Sequence, residues 1–216
     1  MITRLRSKRW ATLCVINLRI LIGFAFLPSG LKKLLDEPFT DPAKTGRFHD
    51  FLDAFYATGW FYQFVGVMQL LTATLLITQR FATVGALFAV PITATIAAFC
   101  WSTQAGLPTS IVITLMFLGS LGLALWDLPR WQLVFARDDR AHELVVPARS
   151  ERVDVRLWQA CGVAIITLYF ATCAALGGVY RPKGMEVTDP AFYVMPAILL
   201  LPIVTLVVEQ RRLRRR

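Results

Sequence analysis

The sequence predicts an all-α membrane protein in which four transmembrane helices form a bundle and two further C-terminal helices extend it. Three observations predict this fold. Of the 216 residues, 56% are hydrophobic and 17% are charged, where soluble domains carry about 25% charged residues. The apolar residues fall into six blocks of roughly 20, the length that crosses a hydrocarbon layer of about 30 Å. A charge-rich segment separates the fourth block from the fifth. A soluble enzyme, a secreted disulfide scaffold and a disordered chain are therefore excluded.

The six predicted spans run over residues 10–31, 60–78, 82–100, 107–126, 157–177 and 190–209. Trp60, Trp126 and Trp158 lie at span ends, where aromatic side chains anchor helices at the membrane interface. Four basic residues precede the first span, as in a signal peptide. Because Asn17 and Arg19 interrupt its apolar run and no small-residue cleavage site follows, we interpret it as a membrane helix.

Between the first and second spans, Phe48, Phe51, Leu52 and Phe55 follow the spacing i, i+3, i+4, i+7. This pattern predicts a short amphipathic helix near 48–57, lying on the outer surface over the mouth of the bundle. The chain then divides into a bundle over 1–135, a linker over 136–156 and a two-helix extension over 157–216.

The distribution of Lys and Arg predicts the orientation. With the N-terminus inside, the inner segments hold sixteen basic residues and the outer segments hold six. This bias predicts a multi-pass protein of the cell membrane with both termini in the cytoplasm. Much of the net charge of +9 comes from the arginines of 211–216, a tail that we expect to contact anionic lipid. The sequence contains no folded basic domain, so no nucleic-acid partner is predicted.

Arg19 is the clearest ionisable residue within a span, and intramembrane charge is expensive enough to indicate a site. It shares a helix face with Gly23, Gly30 and Lys33, so it is predicted to point into the bundle. Counted from the span ends, Arg19 and Gln69 both fall close to the membrane midplane.

Thr93, beside a proline in the third span, falls at a similar depth, and Asn17 precedes Arg19 by two residues. The sequence therefore predicts a mid-membrane polar cluster of Arg19, Gln69, Thr93 and Asn17. Two interpretations stay open. In one, Arg19 bridges helices; in the other, the cluster binds the polar head of an apolar ligand such as a quinone or a lipid.

Two weaker patterns complete the candidates. His49 and Asp53 have i, i+4 spacing on the polar face of the amphipathic segment, but two ligands make a poor metal site, and no metal is predicted. The four cysteines include no C-x-x-C pair. We expect them to be buried small residues rather than obligatory disulfides.

The stretch "RILIGFAFLPSGLKKL", with Arg19, Gly23, Gly30 and Lys33, resembles the first helix of the DoxX/DoxD family of small bacterial and archaeal membrane proteins. The stretches "FLDAFYATGWFYQFVGVMQLLTATLLITQRFATVGALFAVPI" and "GLPTSIVITLMFLGSLGLALWDLPR" resemble its later helices, so the similarity covers about residues 17–135. Many members carry Glu where this chain has Gln69, and the last two spans lie outside the family core.

The resemblance implies a four-helix bundle in a bacterial inner membrane and an association with redox systems, since the founding members are subunits of a thiosulfate:quinone oxidoreductase. No complete catalytic motif is present, so we expect at most a subunit of an oxidoreductase. The first hypothesis is a non-catalytic subunit or scaffold of a membrane redox or envelope-stress complex. The second is a quinone-interacting subunit with Arg19, Lys33 and Gln69 near the head group. The third is a small lipid or solute transporter.

Overall fold

The structure, a computed structural model, describes residues 6, 8–40, 44–130, 153–180, 186 and 188–214. Its helices are, in chain order, α1 (Arg9–Leu34), α2 (Arg47–Tyr56), α3 (Trp60–Ile77), α4 (Ala82–Ser102), α5 (Leu107–Trp126), α6 (Val155–Leu176) and α7 (Val194–Arg214), with a 3-10 turn at Pro190–Tyr193 before α7. Within these ranges, every helix except α2 is long and apolar enough to cross a membrane. The predicted all-α fold with six spans is confirmed. Most of the predicted linker, 136–152, lies outside the described residues.

The six long helices run alternately up and down. We call the end where α1 begins and α7 finishes the terminal end, and the opposite end, which carries the connection 35–59, the loop end. Arg9 of α1 is bonded to Glu209 of α7 at the terminal end, so the two ends of the described chain lie together there.

α1 is the central helix because it packs against α3 and α5 and also contacts the C-terminal extension through Arg9 and Phe24. Small residues allow α1 and α3 to approach closely: a Cβ atom built on Gly66 would lie 2.8 Å from the carbonyl oxygen of Gly30. A Cβ atom on Gly23 would lie 3.1 Å from the carbonyl oxygen of Ala73. Such close helix contacts are typical of membrane bundles, where van der Waals packing replaces the hydrophobic effect. α3, α4 and α5 complete the four-helix bundle.

The extension is a hairpin of α6 and α7 that packs against α3 and α1. Gly162 of α6 lies directly against the backbone carbonyl of Ile77 at the end of α3. Further along, the ring of Tyr169 meets the ring of Phe24 edge to face, with centroids 5.9 Å apart. At the loop end the Tyr180 hydroxyl donates to the carbonyl of Ala191 at 2.8 Å. The extension is therefore joined to the bundle through α6, and the Tyr180–Ala191 bond closes its own connection at the loop end.

α2 occurs where the sequence predicts an amphipathic helix. Its Phe48 and Phe51 rings contact Phe99 near the end of α4, with centroids 5.2 and 4.5 Å apart. Gly46 and Gly59 flank the helix with φ values of 120° and 58°, a backbone conformation that residues with a Cβ rarely adopt. The helix thus turns sharply at both ends and covers the loop end of α4.

The cysteines are all free thiols, distributed over α1, α4 and α6. Cys100, Cys161 and Cys173 are buried, as expected. Cys14 is exposed on α1, which corrects the expectation that it is buried.

Candidate functional site

Asp127 is the centre of a buried ionic cluster at the terminal end. It follows the last residue of α5, and its side chain is 1% exposed. Its Oδ2 atom accepts a hydrogen bond of 2.6 Å from Arg19 Nη2. Its Oδ1 atom accepts from Arg6 Nη2 and from Arg130 Nη1, each at 3.2 Å. One carboxylate thus holds three guanidinium groups from before α1, within α1 and just after α5.

Gln79 completes the cluster from the turn between α3 and α4. The residue has a φ of 58°, and this left-handed turn directs its buried side chain back toward α1. Its Oε1 atom accepts from Arg19 Nη1 at 3.3 Å. Its Nε2 atom donates to the carbonyl oxygens of Leu76 and Ile16, at 3.0 and 3.4 Å. Gln79 therefore links α1 to the α3–α4 turn and gives Arg19 a neutral acceptor beside Asp127.

Arg6 and Arg130 form the outer part of the cluster. The Arg6 guanidinium lies 5.7 Å from the centroid of the Trp126 ring, within reach of a cation–π interaction. Burial lowers the pKa of Arg6 from its ordinary value, and the charge of Asp127 acts against that shift. Arg130 Nη1 also donates to Thr83 Oγ1 at the start of α4. The cluster therefore ties the segment before α1 to α4 and α5.

A second ionic group joins the extension to α1. Glu209 of α7 is 1% exposed, and its Oε2 atom accepts from Arg9 Nη2 at 3.0 Å. Its Oε1 atom accepts from the backbone N–H of Asp154, the N-cap residue of α6, at 2.8 Å. This carboxylate thus connects the beginnings of α1 and α6 to the end of α7.

The structure corrects the predicted mid-membrane cluster. Arg19 bonds to Gln79 and Asp127 at the terminal end, whereas Gln69 Oε1 accepts from Ser29 Oγ at 3.3 Å. Arg19 and Ser29 are ten residues apart on α1, which places the two groups about 15 Å apart along the helix axis. The depth estimate fails because α1 is longer than α3 and is staggered past it at the terminal end.

The other two residues of that predicted cluster bond within their own helices. The buried Thr93 hydroxyl donates to the carbonyl oxygens of Ala89 and Val90, at 2.7 and 3.2 Å. Asn17 Nδ2 donates to the carbonyl of Leu13 at 2.9 Å. Local bonds of this kind satisfy polar side chains inside a membrane helix.

A smaller polar group lies toward the loop end. Lys33 is buried, and its Nζ atom donates to the carbonyl of Ser29 at 3.1 Å, next to the bond between Ser29 and Gln69. The same Nζ atom lies 4.6 Å from the Phe39 ring centroid and 5.8 Å from that of Tyr62. Two of the predicted ligand-binding residues, Lys33 and Gln69, therefore come together here, without Arg19.

The predicted His49 and Asp53 pair lies on α2. Asp53 Oδ1 accepts from Thr40 Oγ1 at 3.2 Å, and the His49 ring contacts the ring of Phe48. The described residues include no group of three or more His, Cys, Asp or Glu side chains that could hold a metal ion.

Sequence reasoning missed Asp127, Gln79, Arg6 and Glu209 as site residues. Asp127 and Glu209 lie at the ends of predicted spans, so counting depth along each span does not bring either of them to Arg19. The sequence does contain a signal for the cluster. In the predicted topology, both acidic residues lie at the same end of the bundle as the basic N-terminal segment. Since opposite charges at one end of a bundle favour pairing in a low dielectric, that coincidence indicates an ionic cluster.

Comparison with known proteins agrees with this fold. Residues 14–102, which reach from early α1 to the end of α4, match the family model described as DoxX. No curated protein and no solved structure matches the chain. The fold and the match together define an integral membrane protein of six spans that carries a DoxX domain. Residues 14–102 are thus similar to a DoxX domain, and the resemblance seen in the sequence is confirmed over these residues.

Proposed function

We propose that this protein is a non-catalytic subunit or scaffold of a membrane redox or envelope-stress complex. The proposal rests on the hydrogen bonds of Arg19, the clearest ionisable residue within a predicted span. Its two Nη atoms donate to Asp127 and Gln79, acceptors that the chain itself supplies. Breaking a buried pair of this kind is strongly destabilising, so Arg19 is better suited to joining helices than to exchanging ligands.

The outer surfaces of α5 and α7 also support a scaffold. Both helices contact the rest of the chain along one side and present rows of exposed aliphatic side chains on the other, including Leu115, Leu118, Leu199 and Leu200. Such surfaces accept either lipid tails or the helices of a partner subunit. The ionic groups at the terminal end hold the helices in fixed positions, as a docking platform requires.

The proposal is tested by purifying the tagged protein from its native membrane in mild detergent, followed by size-exclusion chromatography, cross-linking and mass spectrometry. We expect a partner at fixed stoichiometry, bearing a flavin, haem or iron–sulfur absorption band or belonging to an envelope-stress system. Leu115→Trp on α5 and Leu200→Trp on α7 are matched variants. Lipid accommodates the added ring, whereas a packed partner does not, so the variant that releases the partner identifies the docking helix. A protein that runs alone and turns over a substrate would contradict the proposal.

A quinone-interacting subunit is the second candidate, and the group of Lys33, Ser29 and Gln69 favours it. A buried ammonium donor between two aromatic rings suits a quinone, whose carbonyl accepts a hydrogen bond while its ring packs on an aromatic face. Lys33→Gln should then remove co-purifying quinone, and the neighbouring Lys32→Gln should retain it. Purified wild-type protein that contains no quinone would rule this candidate out.

A further inference from the structure

Arg6 and Arg130 share one carboxylate at the terminal end. Among the described residues, Arg6 Nη2 and Arg130 Nη1 both donate to Oδ1 of Asp127, while Oδ2 accepts from Arg19. Both oxygens of Asp127 are already engaged. Buried charges are stable only when they are paired and hydrogen-bonded, so the cluster has capacity for a further anion.

Arg6 points to where that anion binds. Its side chain is 7% exposed, and its Nη1 atom is buried without a hydrogen-bond partner among the residues that the structure describes. A buried guanidinium N–H that lacks an acceptor is rare and unfavourable. The Nη2 atom of the same group is held on Asp127, which fixes the direction in which the unused donor points.

Arg130 supplies a second hydrogen-bond donor for the anion and lies where the anion can reach the cluster from outside. Its side chain is 35% exposed, so it borders the surface of the protein. Arg6 Nη2 and Arg130 Nη1 bond to the same oxygen of Asp127, and the two guanidinium groups therefore converge. Two converging guanidinium groups match the several oxygen acceptors of a phosphate group.

The position of the pair identifies the source of the phosphate. Arg6 lies beside Trp126, at the point where a membrane helix ends and where interfacial aromatic residues meet lipid head groups. The terminal end is also the end that the basic residues predict to be cytoplasmic, and that leaflet carries anionic lipid.

We propose that Arg6 and Arg130 form a binding site for a phosphate-bearing anion, the head group of an anionic phospholipid, with Asp127 positioning both guanidinium groups. The site is separate from the arginine-rich tail, because its two arginines lie before α1 and just after α5 and are both bonded to Asp127. A phosphate bound there gives the Nη1 donor of Arg6 an acceptor and attaches the segment before α1 to the membrane surface.

The test is native mass spectrometry of the full-length protein, titrated with phosphatidylglycerol, with phosphatidylcholine and with inorganic phosphate. We expect the wild-type protein to retain one phosphatidylglycerol in preference to phosphatidylcholine. Arg130→Gln removes one charge-assisted donor and should weaken that binding by about tenfold or more. This variant should still fold, because Arg6 and Arg19 continue to hold Asp127. Arg6→Gln should have the same effect, and if it fails to fold, Arg130→Gln decides.

Arg80→Gln is the matched control, because Arg80 is an exposed arginine in the α3–α4 turn at the same end. Arg212→Gln controls for the tail. Both should retain the lipid. Competition by inorganic phosphate at equal affinity supports the site but identifies free phosphate as its ligand. The proposal is overturned if phosphatidylglycerol binds no better than phosphatidylcholine, with inorganic phosphate also unbound, or if the control variants lose as much binding as Arg130→Gln.

Discussion

Asp127 forms ion pairs with three arginines, Arg6, Arg19 and Arg130. A carboxylate buried at the end of α5 would be unstable alone, and so would three arginines without it. Together they form a group in which each charge depends on the others. Pairs of this kind contribute little when compared with a well-packed apolar core, but removing one partner is costly.

Asp127→Asn should therefore destabilise the protein by about 3–5 kcal/mol, because it leaves buried guanidinium groups without their counter-charge. The measurement is the unfolding midpoint in detergent. Asp154→Asn is the control. It breaks an exposed pair with Arg212, worth at most about 1 kcal/mol, and Asn preserves the N-cap of α6. If both variants lower the unfolding midpoint equally, the buried cluster contributes no more to stability than the exposed pair does.

Gln79 allows a second test at this scale. Gln79→Leu removes the neutral acceptor of Arg19 and the donor to Ile16, so we expect a loss of about 1–3 kcal/mol. Gln104→Leu is a close control, because Gln104 has nearly the same positive φ, 55°, but is exposed at the loop end. Thermal unfolding of the two variants separates the hydrogen bonds from the backbone strain that they share. If the Gln104 variant is as unstable as the Gln79 variant, the loss of stability comes from the backbone conformation and not from the hydrogen bonds.

At the scale of elements, the length of α1 determines which groups meet. With 26 residues it is longer than α3, which has 18. Its first turns extend past α3 and are covered instead by the extension, where Arg9 meets Glu209. The extension thus completes the packing of α1.

Gly162 is the residue on which the packing of the extension depends. Gly162→Ala places a methyl group against the Ile77 carbonyl, so α6 must move away from α3, at a cost of about 1–3 kcal/mol. Gly122→Ala on α5 is the control, because a Cβ atom there meets nothing within 4 Å. It should be neutral or slightly stabilising, since Ala favours helix. The readout is the unfolding midpoint in detergent, and equal stability of the two variants would contradict the close contact.

For the whole molecule, the orientation in the membrane is the property to test. The Lys and Arg bias predicts that the terminal end is cytoplasmic, so the α2 side faces outward. In a background without the native cysteines, His49→Cys should react with an impermeant thiol reagent in intact cells. Arg80→Cys should react only after the cells are opened. The reverse pattern would invert the orientation.

The six spans follow from the local sequence, because apolar blocks of membrane length form helices wherever the backbone must satisfy its own hydrogen bonds in lipid. It also determined the close face of α1, since Gly23 and Gly30 recur at helical spacing and both contact α3. Arg19 was correctly predicted to be buried and to face the bundle.

The polar groups that Arg19 contacts depend on how the helices pack. Counting residues from the span ends predicts that Arg19 lies at the same membrane depth as Gln69 and Thr93. The true depth of a residue also depends on how far each helix is shifted along its neighbours, which the local sequence does not encode. The stagger follows from packing, in which the glycines of α1 and α3 interlock and the extension covers the first turns of α1. In that arrangement Arg19 bonds to Asp127 and Gln79. Lys33 and Gln69 form a separate group around Ser29, about 15 Å from Arg19 along α1.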